Sequence, residues 1–205
     1  MRVTITGALK WVPGIALILL TSCGAVTRPV QFYALSLPEP PASSTGTATM
    51  PDTIALGVGP LVIPKILDRP QIVSRGAGNK LQLAEFHRWG GALDEDILRV
   101  LTERLSLLLE TNRVMAHPWA DFFEPDYRIH MVFHRFDGRF GESVVLNATW
   151  SVTDGRGRKA LAVKRSVINE PLAATDYESL VSASSGALEE LCRQMAAEIR
   201  GLKGK

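Results

Sequence analysis

The stretch Glu142-Ser143-Val144-Val145-Leu146-Asn147-Ala148-Thr149-Trp150-Ser151-Val152-Thr153 decides the fold. Val144, Leu146, Ala148, Trp150 and Val152 alternate with Asn147, Thr149 and Ser151, the period of two that marks a strand with one dry and one wet face. Trp150 is the largest group in the dry row, so this strand is expected at the centre of the core. Asp137-Gly138 upstream and Asp154-Gly155 downstream are hairpin-turn dipeptides. They predict flanking strands over 126–136 and 158–168, and hence a three-stranded antiparallel meander.

Outward from the meander the period changes. Leu93, Ile97, Leu101, Leu105 and Leu108 recur at helical spacing over 93–110, with Asp94, Glu95 and Asp96 in the first turn, where they suit the positive end of the macrodipole. A second helix is expected over 176–200. Thr175 and Glu178 read as its capping box, and Tyr177, Leu180, Val181, Leu188, Leu191, Met195 and Ile199 as its apolar stripe. Residues 71–75 and 80–86 predict a hairpin around Gly76-Ala77-Gly78-Asn79, and 53–63 a strand interrupted at Gly57-Val58-Gly59-Pro60. Together these predict an α+β fold, a mixed, largely antiparallel sheet with two main helices packed on one face.

The N-terminus reads as a lipoprotein signal. Arg2 and Lys10 precede an apolar run from Trp11 to Leu20, then Thr21 and Ser22 lead to Cys23 and Gly24. Small residues suit a signal peptidase, and the thiol can accept diacylglycerol. The run is too short, and too broken by Pro13 and Gly14, to span a bilayer as a helix. Cleavage between Ser22 and Cys23 is expected, with Cys23 carrying acyl chains, and two or more such chains hold a protein stably on a membrane. Gly24 stands where an Asp would signal retention at the inner membrane, so the periplasmic face of the outer membrane is the expected address.

Residues 1–22 are thus the signal, 23–52 the lipidated Cys, a Pro/Ser/Thr-rich tether and a short β-prone stretch (Phe32-Tyr33-Ala34-Leu35-Ser36-Leu37), and 53–205 the folded domain. Arg2 and Lys10 leave with the signal, so 23 basic against 21 acidic residues become 21 against 21. A neutral chain lacks the basic stripe that nucleic acid requires. Of two cysteines, lipidation takes Cys23, and Cys192 lies beside Leu191 in the second helix as a small apolar group. Glu189 and Glu190 would raise its thiol pKa rather than activate it.

Catalytic signatures are missing from the sequence: no GxSxG, no Walker loop, no HExxH and no paired-cysteine metal motif. His130 and His134, four apart on a strand, share a face with Arg128, Val132 and Phe136. No carboxylate adjoins them, while zinc wants three or four convergent ligands. No metal or cofactor is expected. His87 has no visible partner.

Four further segments carry a specific likeness. Phe32-Tyr33-Ala34-Leu35 follows the lipidated Cys. The stretch from Ile63 to Arg75 holds Leu67-Asp68-Arg69-Pro70-Gln71-Ile72-Val73-Ser74-Arg75. Glu85, Arg88, Trp89 and Leu93 come next, and then 127–138 with 145–150. In this order they resemble the auxiliary lipoproteins of ABC-type transport systems, the paraquat-inducible protein C family. Ile66 replaces that family's usual aromatic residue, and Gly91-Ala92 its acidic residue and Pro.

The resemblance implies a non-catalytic accessory subunit of an intermembrane lipid-transport system. Such systems pair inner-membrane transport components with mammalian-cell-entry (MCE) domain proteins that bridge the periplasm. The lipoprotein would dock that bridge at the outer membrane, with a homo-oligomer as a further expectation. A scaffold lipoprotein of a secretion or envelope-assembly machine and a stand-alone lipid- or glycan-binding lipoprotein are the alternatives. Arg69, Arg75, Arg88 and Trp89 crowd two turn-flanked segments and are candidates for a partner-binding surface, since Arg and Trp are enriched at interface hot spots. The competing reading puts Trp89 in the core and leaves the arginines solvated.

Overall fold

A computed structural model describes residues 28–36 and 54–203. Ser22, Cys23 and the tether stretches 24–27 and 37–52 lie outside the described residues. The elements run β1 (Gln31–Tyr33), β2 (Leu56–Val62), β3 (Gln71–Arg75), β4 (Leu81–Trp89), α1 (Leu93–Leu109), β5 (Val114–Ala116), β6 (Tyr127–Gly138), β7 (Ser143–Asp154), β8 (Ala160–Pro171) and α2 (Tyr177–Lys203). The eight strands form one mixed, curled sheet on which the two helices pack, so the α+β expectation holds.

The meander β6–β7–β8 is antiparallel throughout. Val144, Leu146, Ala148, Trp150 and Val152 are all buried, as their alternation requires. On β6 the alternation breaks. The register skips His134 between Phe133, opposite Ala148, and Arg135, opposite Asn147. One extra residue moves every later side chain to the other face, so Phe136 joins Ile129, Met131 and Phe133 in the core instead of sharing the face of His130 and His134.

Asp137-Gly138 is strand rather than turn, a correction to the sequence reading. The turn lies one step later, where Arg139 N–H donates to the Ser143 carbonyl and Gly141 takes φ +76°. Gly138 is there for clearance: a Cβ would sit 2.9 Å from Val144 Cγ2, against the packed Leu180. At the other end of the meander Asp154 does make the expected turn. Its Oδ1 accepts from the N–H groups of Arg158 and Lys159, which holds the carboxyl below its usual value.

The margin of the sheet is assembled differently. β3 and β4 form the expected hairpin, with a register slip between Gln71 and Val73. β1 adds to β4, β2 pairs with both β5 and β6, and β3 touches β6 at Ser74 and Gly138, all in parallel. The expected interruption of β2 is a register shift between Val58 and Leu61 inside a continuing strand. β5 has no counterpart in the sequence reading, being three residues of ordinary composition.

Both helices bury the predicted stripes except Leu108 and Tyr177, which are half-buried; α1 adds Val100 and Leu109, and α2 adds Ala183, Ala187, Cys192 and Ala196. Its cap is Asp176, whose Oδ1 accepts the Ser179 N–H at 2.7 Å, in place of the Thr175 capping box. Arg104 on α1 meets Glu189 on α2 at 2.5 Å, and Glu189 is nearly buried. Burial, with Glu189 beside it, pushes the Cys192 thiol far up and leaves it inert. Trp150 Nε1–H donates to Ser166 Oγ at 2.9 Å, and Ser166 in turn to Gln194 Oε1 at 2.6 Å, a polar chain through β7, β8 and α2.

Candidate functional site

The β3–β4 hairpin brings together some of the candidate residues and separates others. Gln71 lies opposite Arg88 in the ladder, and the Trp89 N–H donates to the Pro70 carbonyl at 2.7 Å. Arg69, Arg88 and Trp89 therefore gather where β3 begins and β4 ends. Arg75 stands at the far end of β3, four residues or about 13 Å along the strand.

There Arg75 grips Asp137 with both arms, Nε to Oδ1 at 2.6 Å and Nη2 to Oδ2 at 3.0 Å, while Arg135 Nε reaches the same Oδ1 at 2.9 Å. Asp137 is almost fully buried. Arg75 joins β3 to β6 where the backbone pairing amounts to a single residue pair, and Arg135, on β6 itself, adds a second guanidinium to the buried carboxylate. Arg75 is thus engaged within the fold, and charge reversal there would report on folding before it reported on any partner.

Trp89 is 7 % exposed and sits in the core cluster. Arg69 and Arg88, by contrast, are half-buried. Neither forms a salt bridge among the described residues, and the Nε of each is buried without a hydrogen-bond partner. Buried donors left unmatched are uncommon, and the Arg128 Nε is a third among the described residues.

Beside this point the sequence reading missed an aromatic group. Tyr33 Oη lies 2.8 Å from His87 Nδ1 and donates to Gln31 Oε1 at 2.7 Å. The His87 ring stacks on Tyr177 with centroids 3.9 Å apart, and Phe140 meets Tyr177 edge-on at 5.0 Å. His87, which showed no partner in sequence, thus ties β1 to β4 and α2. Burial, with Glu178 and Asp176 nearby, raises the Tyr33 phenol above its ordinary value. The signal available was Tyr33 itself, within the β-prone stretch Phe32-Tyr33-Ala34-Leu35.

Two further anchors hold the start of the domain. Asp96 Oδ2 accepts the Leu35 N–H at 2.7 Å, Arg99 donates to the Leu35 carbonyl at 2.7 Å, and Arg99 also pairs with Asp96. Asp96 therefore does more than complement the helix dipole: it fixes Leu35, 1 % exposed, into the core.

On the opposite sheet face His134 bonds Thr149 Oγ1 at 2.8 Å, and burial, then Arg128 and His117, lower the pKa of His130. Among the described residues no group of three or more His, Cys, Asp or Glu could hold a metal ion. A cleft of about 800 Å³ lies between the loop carrying Trp119 and the β7–β8 turn. Arg128 covers the Trp119 ring at 5.0 Å, above Gly57, where a Cβ would meet the indole at 2.8 Å. Its walls mix Arg156 and Arg158 with Asp121 and Glu124.

Among the described residues no helix is long and apolar enough to cross a membrane. Compared with known proteins, residues 33–196 match the family model of the ABC-type transport auxiliary lipoprotein component. The intermembrane transport lipoprotein PqiC of Escherichia coli (strain K12) is 22% identical over 194 residues, which cover 94% of this chain and 98% of that protein. The protein of the same name from Shigella flexneri matches to the same extent. Among solved structures, one described as an uncharacterized protein superposes with a TM-score of 0.67 at 16% identity, over 84% of this chain and 99% of its own. A second, from Xanthomonas campestris, gives 0.62 at 16% identity over 80% and 92%. At such identity these two establish the fold.

Proposed function

This chain belongs to the ABC-type transport auxiliary lipoprotein component family, and on that premise we propose that it is the non-catalytic lipoprotein subunit of an intermembrane lipid-transport assembly. Cys23, exposed by cleavage after Ser22, carries the acyl chains and holds the domain on the periplasmic face of the outer membrane. There it docks the MCE-domain component that spans the periplasm from the inner-membrane transporter. What carries this reading is the likeness to PqiC, named as an intermembrane transport lipoprotein, over nearly the whole length of both chains.

Arg69 and Arg88 supply the docking contact. Their guanidinium groups have no carboxylate partner among the described residues, and planar multi-donor heads suit carboxylates or carbonyls on a partner. Arg75 and Trp89 take part by holding the hairpin that presents them.

Capture of the lipidated chain from detergent-extracted envelopes tests the proposal. The expected result is recovery of an MCE-domain protein, with weaker recovery from Arg69→Glu and Arg88→Glu variants that melt normally. Recovery of secretion machinery, or of lipid and no protein, would favour the scaffold or the lipid-carrier reading. For the anchor, Cys23→Ala should leave an uncleaved precursor; a mature, membrane-held protein in that variant would refute lipidation at Cys23.

A further inference from the structure

The most exposed apolar group near the start of the domain is Phe32, 67 % accessible on β1, with Val30 two residues before it at 37 %. A spacing of two puts both side chains on one face of an extended segment, and exposed Arg28 precedes them at the same spacing. Among the described residues β1 pairs with β4 alone, and no strand lies on its other edge. An isolated exposed hydrophobic residue on a protein needs no explanation. The position of this one does.

Val30 lies seven positions after Cys23, so an extended chain places it within about 25 Å of the acylated thiol. This end of the domain is therefore confined near the bilayer surface, at an effective concentration in the millimolar range for a short leash. An aromatic ring, a branched aliphatic and an arginine on one face match the chemistry of the headgroup–acyl boundary. There aromatic residues settle, and arginine keeps its charge in water while its stem lies among apolar groups.

We propose that Arg28, Val30 and Phe32 form a second membrane contact, in which the β1 face lies in the lipid interface and Phe32 enters it. The inference rests on the acyl anchor of the proposed function and adds orientation to it. The anchor alone would hold the domain near the membrane but leave it free to turn. Contact through β1 sets one edge of the sheet against the bilayer and transmits that setting to the core through Tyr33 and Leu35. Tyr33 contacts His87, and the Leu35 backbone is held by Asp96 and Arg99.

The test places a polarity-sensitive fluorophore on single cysteines in the full lipidated chain. Acylation consumes Cys23 and burial protects Cys192, so Phe32→Cys labels selectively. Leu107→Cys on α1 and Val163→Cys on β8 are exposed controls. Each protein is reconstituted into phosphatidylethanolamine vesicles containing phosphatidylglycerol and a spin-labelled lipid, floated through a gradient, and weighed for its acyl mass.

A blue shift and loss of most of the emission at position 32, with both controls unchanged, is the expected result. Adding Arg28→Glu and Val30→Lys to the labelled protein should reverse the shift at position 32 while the melting curve stays in place. Protein that carries its acyl mass and floats, yet emits alike at all three sites, overturns the β1 contact and leaves the anchor standing. Protein without acyl mass that fails to float overturns both.

Discussion

Strands β6, β7 and β8 are twelve residues long and antiparallel, whereas β1 and β5 are three residues long and paired in parallel. The long meander holds itself by two long backbone ladders, each broken by a single register shift, and by the dry row of β7 against α2. The margin is pinned by side chains: Asp137 between Arg75 and Arg135, Asp96 on the Leu35 backbone, and His87 between Tyr33 and Tyr177. One region distributes its stability over many small terms, and the other concentrates it in a few replaceable groups. The candidate contacts with partner and membrane both lie in the second.

If the meander is the body of the fold, its centre should be the costliest place to cut. Trp150→Ala should lower stability by about 3–5 kcal/mol, from lost burial and the cavity together, with Ser166 also losing its indole donor. The readout is a denaturant titration. An unchanged midpoint would show that the body of the fold lies elsewhere.

At the margin, Asp137→Ala should cost about 2 kcal/mol, because Arg75 and Arg135 lose their shared partner but remain about one-third exposed and so partly solvated. Hydrogen exchange should locate the damage, with β3 and β4 amides exchanging faster and those of β7 little changed. Equal acceleration in both would erase the distinction between the regions.

A smaller and more local effect is expected from Asp96→Ala, about 1–2 kcal/mol for an unsatisfied Leu35 N–H and a released Arg99. Limited proteolysis should then cut near β1 while the remainder stays intact. Resistance equal to that of the parent protein would mean that Tyr33 and His87 suffice to hold β1.

The slightest test is acidification. The folded chain holds the His130 proton more weakly than the unfolded chain does, since burial and Arg128 lower its pKa. This part of the stability is intact above the ordinary histidine value of about 6.5. It is lost as pH falls through that value, and the loss levels off below the depressed folded pKa. His130→Gln should flatten the slope in melting curves taken between neutral and mildly acidic pH. A slope that persists belongs to other groups.

Much of the meander was legible because its information is local. Val144 to Val152 show their period to a reader who sees only ten residues, and α1 and α2 show theirs in the same way. Asp137-Gly138 misled for the same reason: as a dipeptide it signals a turn, and only Arg75, 62 positions upstream, gives the carboxylate another use. Within the candidate site, the gathering of Arg69, Arg88 and Trp89 followed from hairpin signals, but the departure of Arg75 to its own ion pair did not. Thr175 fits a capping-box pattern with Glu178, yet the folded backbone selects Asp176 as the cap.

By itself, the sequence determined the positions and kinds of the long elements, the dry face of β7, the lipoprotein pattern ending at Cys23, and a likeness specific enough to name a family. Tertiary structure alone decided the parallel pairings of β1, β2, β3 and β5, the bulge at His134 that turns Phe136 inward, the burial of Trp89 and the partner of each charged group. Periodicity and turn chemistry are set by neighbours a few residues apart, so they survive in a linear reading. Parallel pairing and the neutralisation of a buried charge join residues many positions apart, and only the folded chain brings those partners within hydrogen-bonding distance.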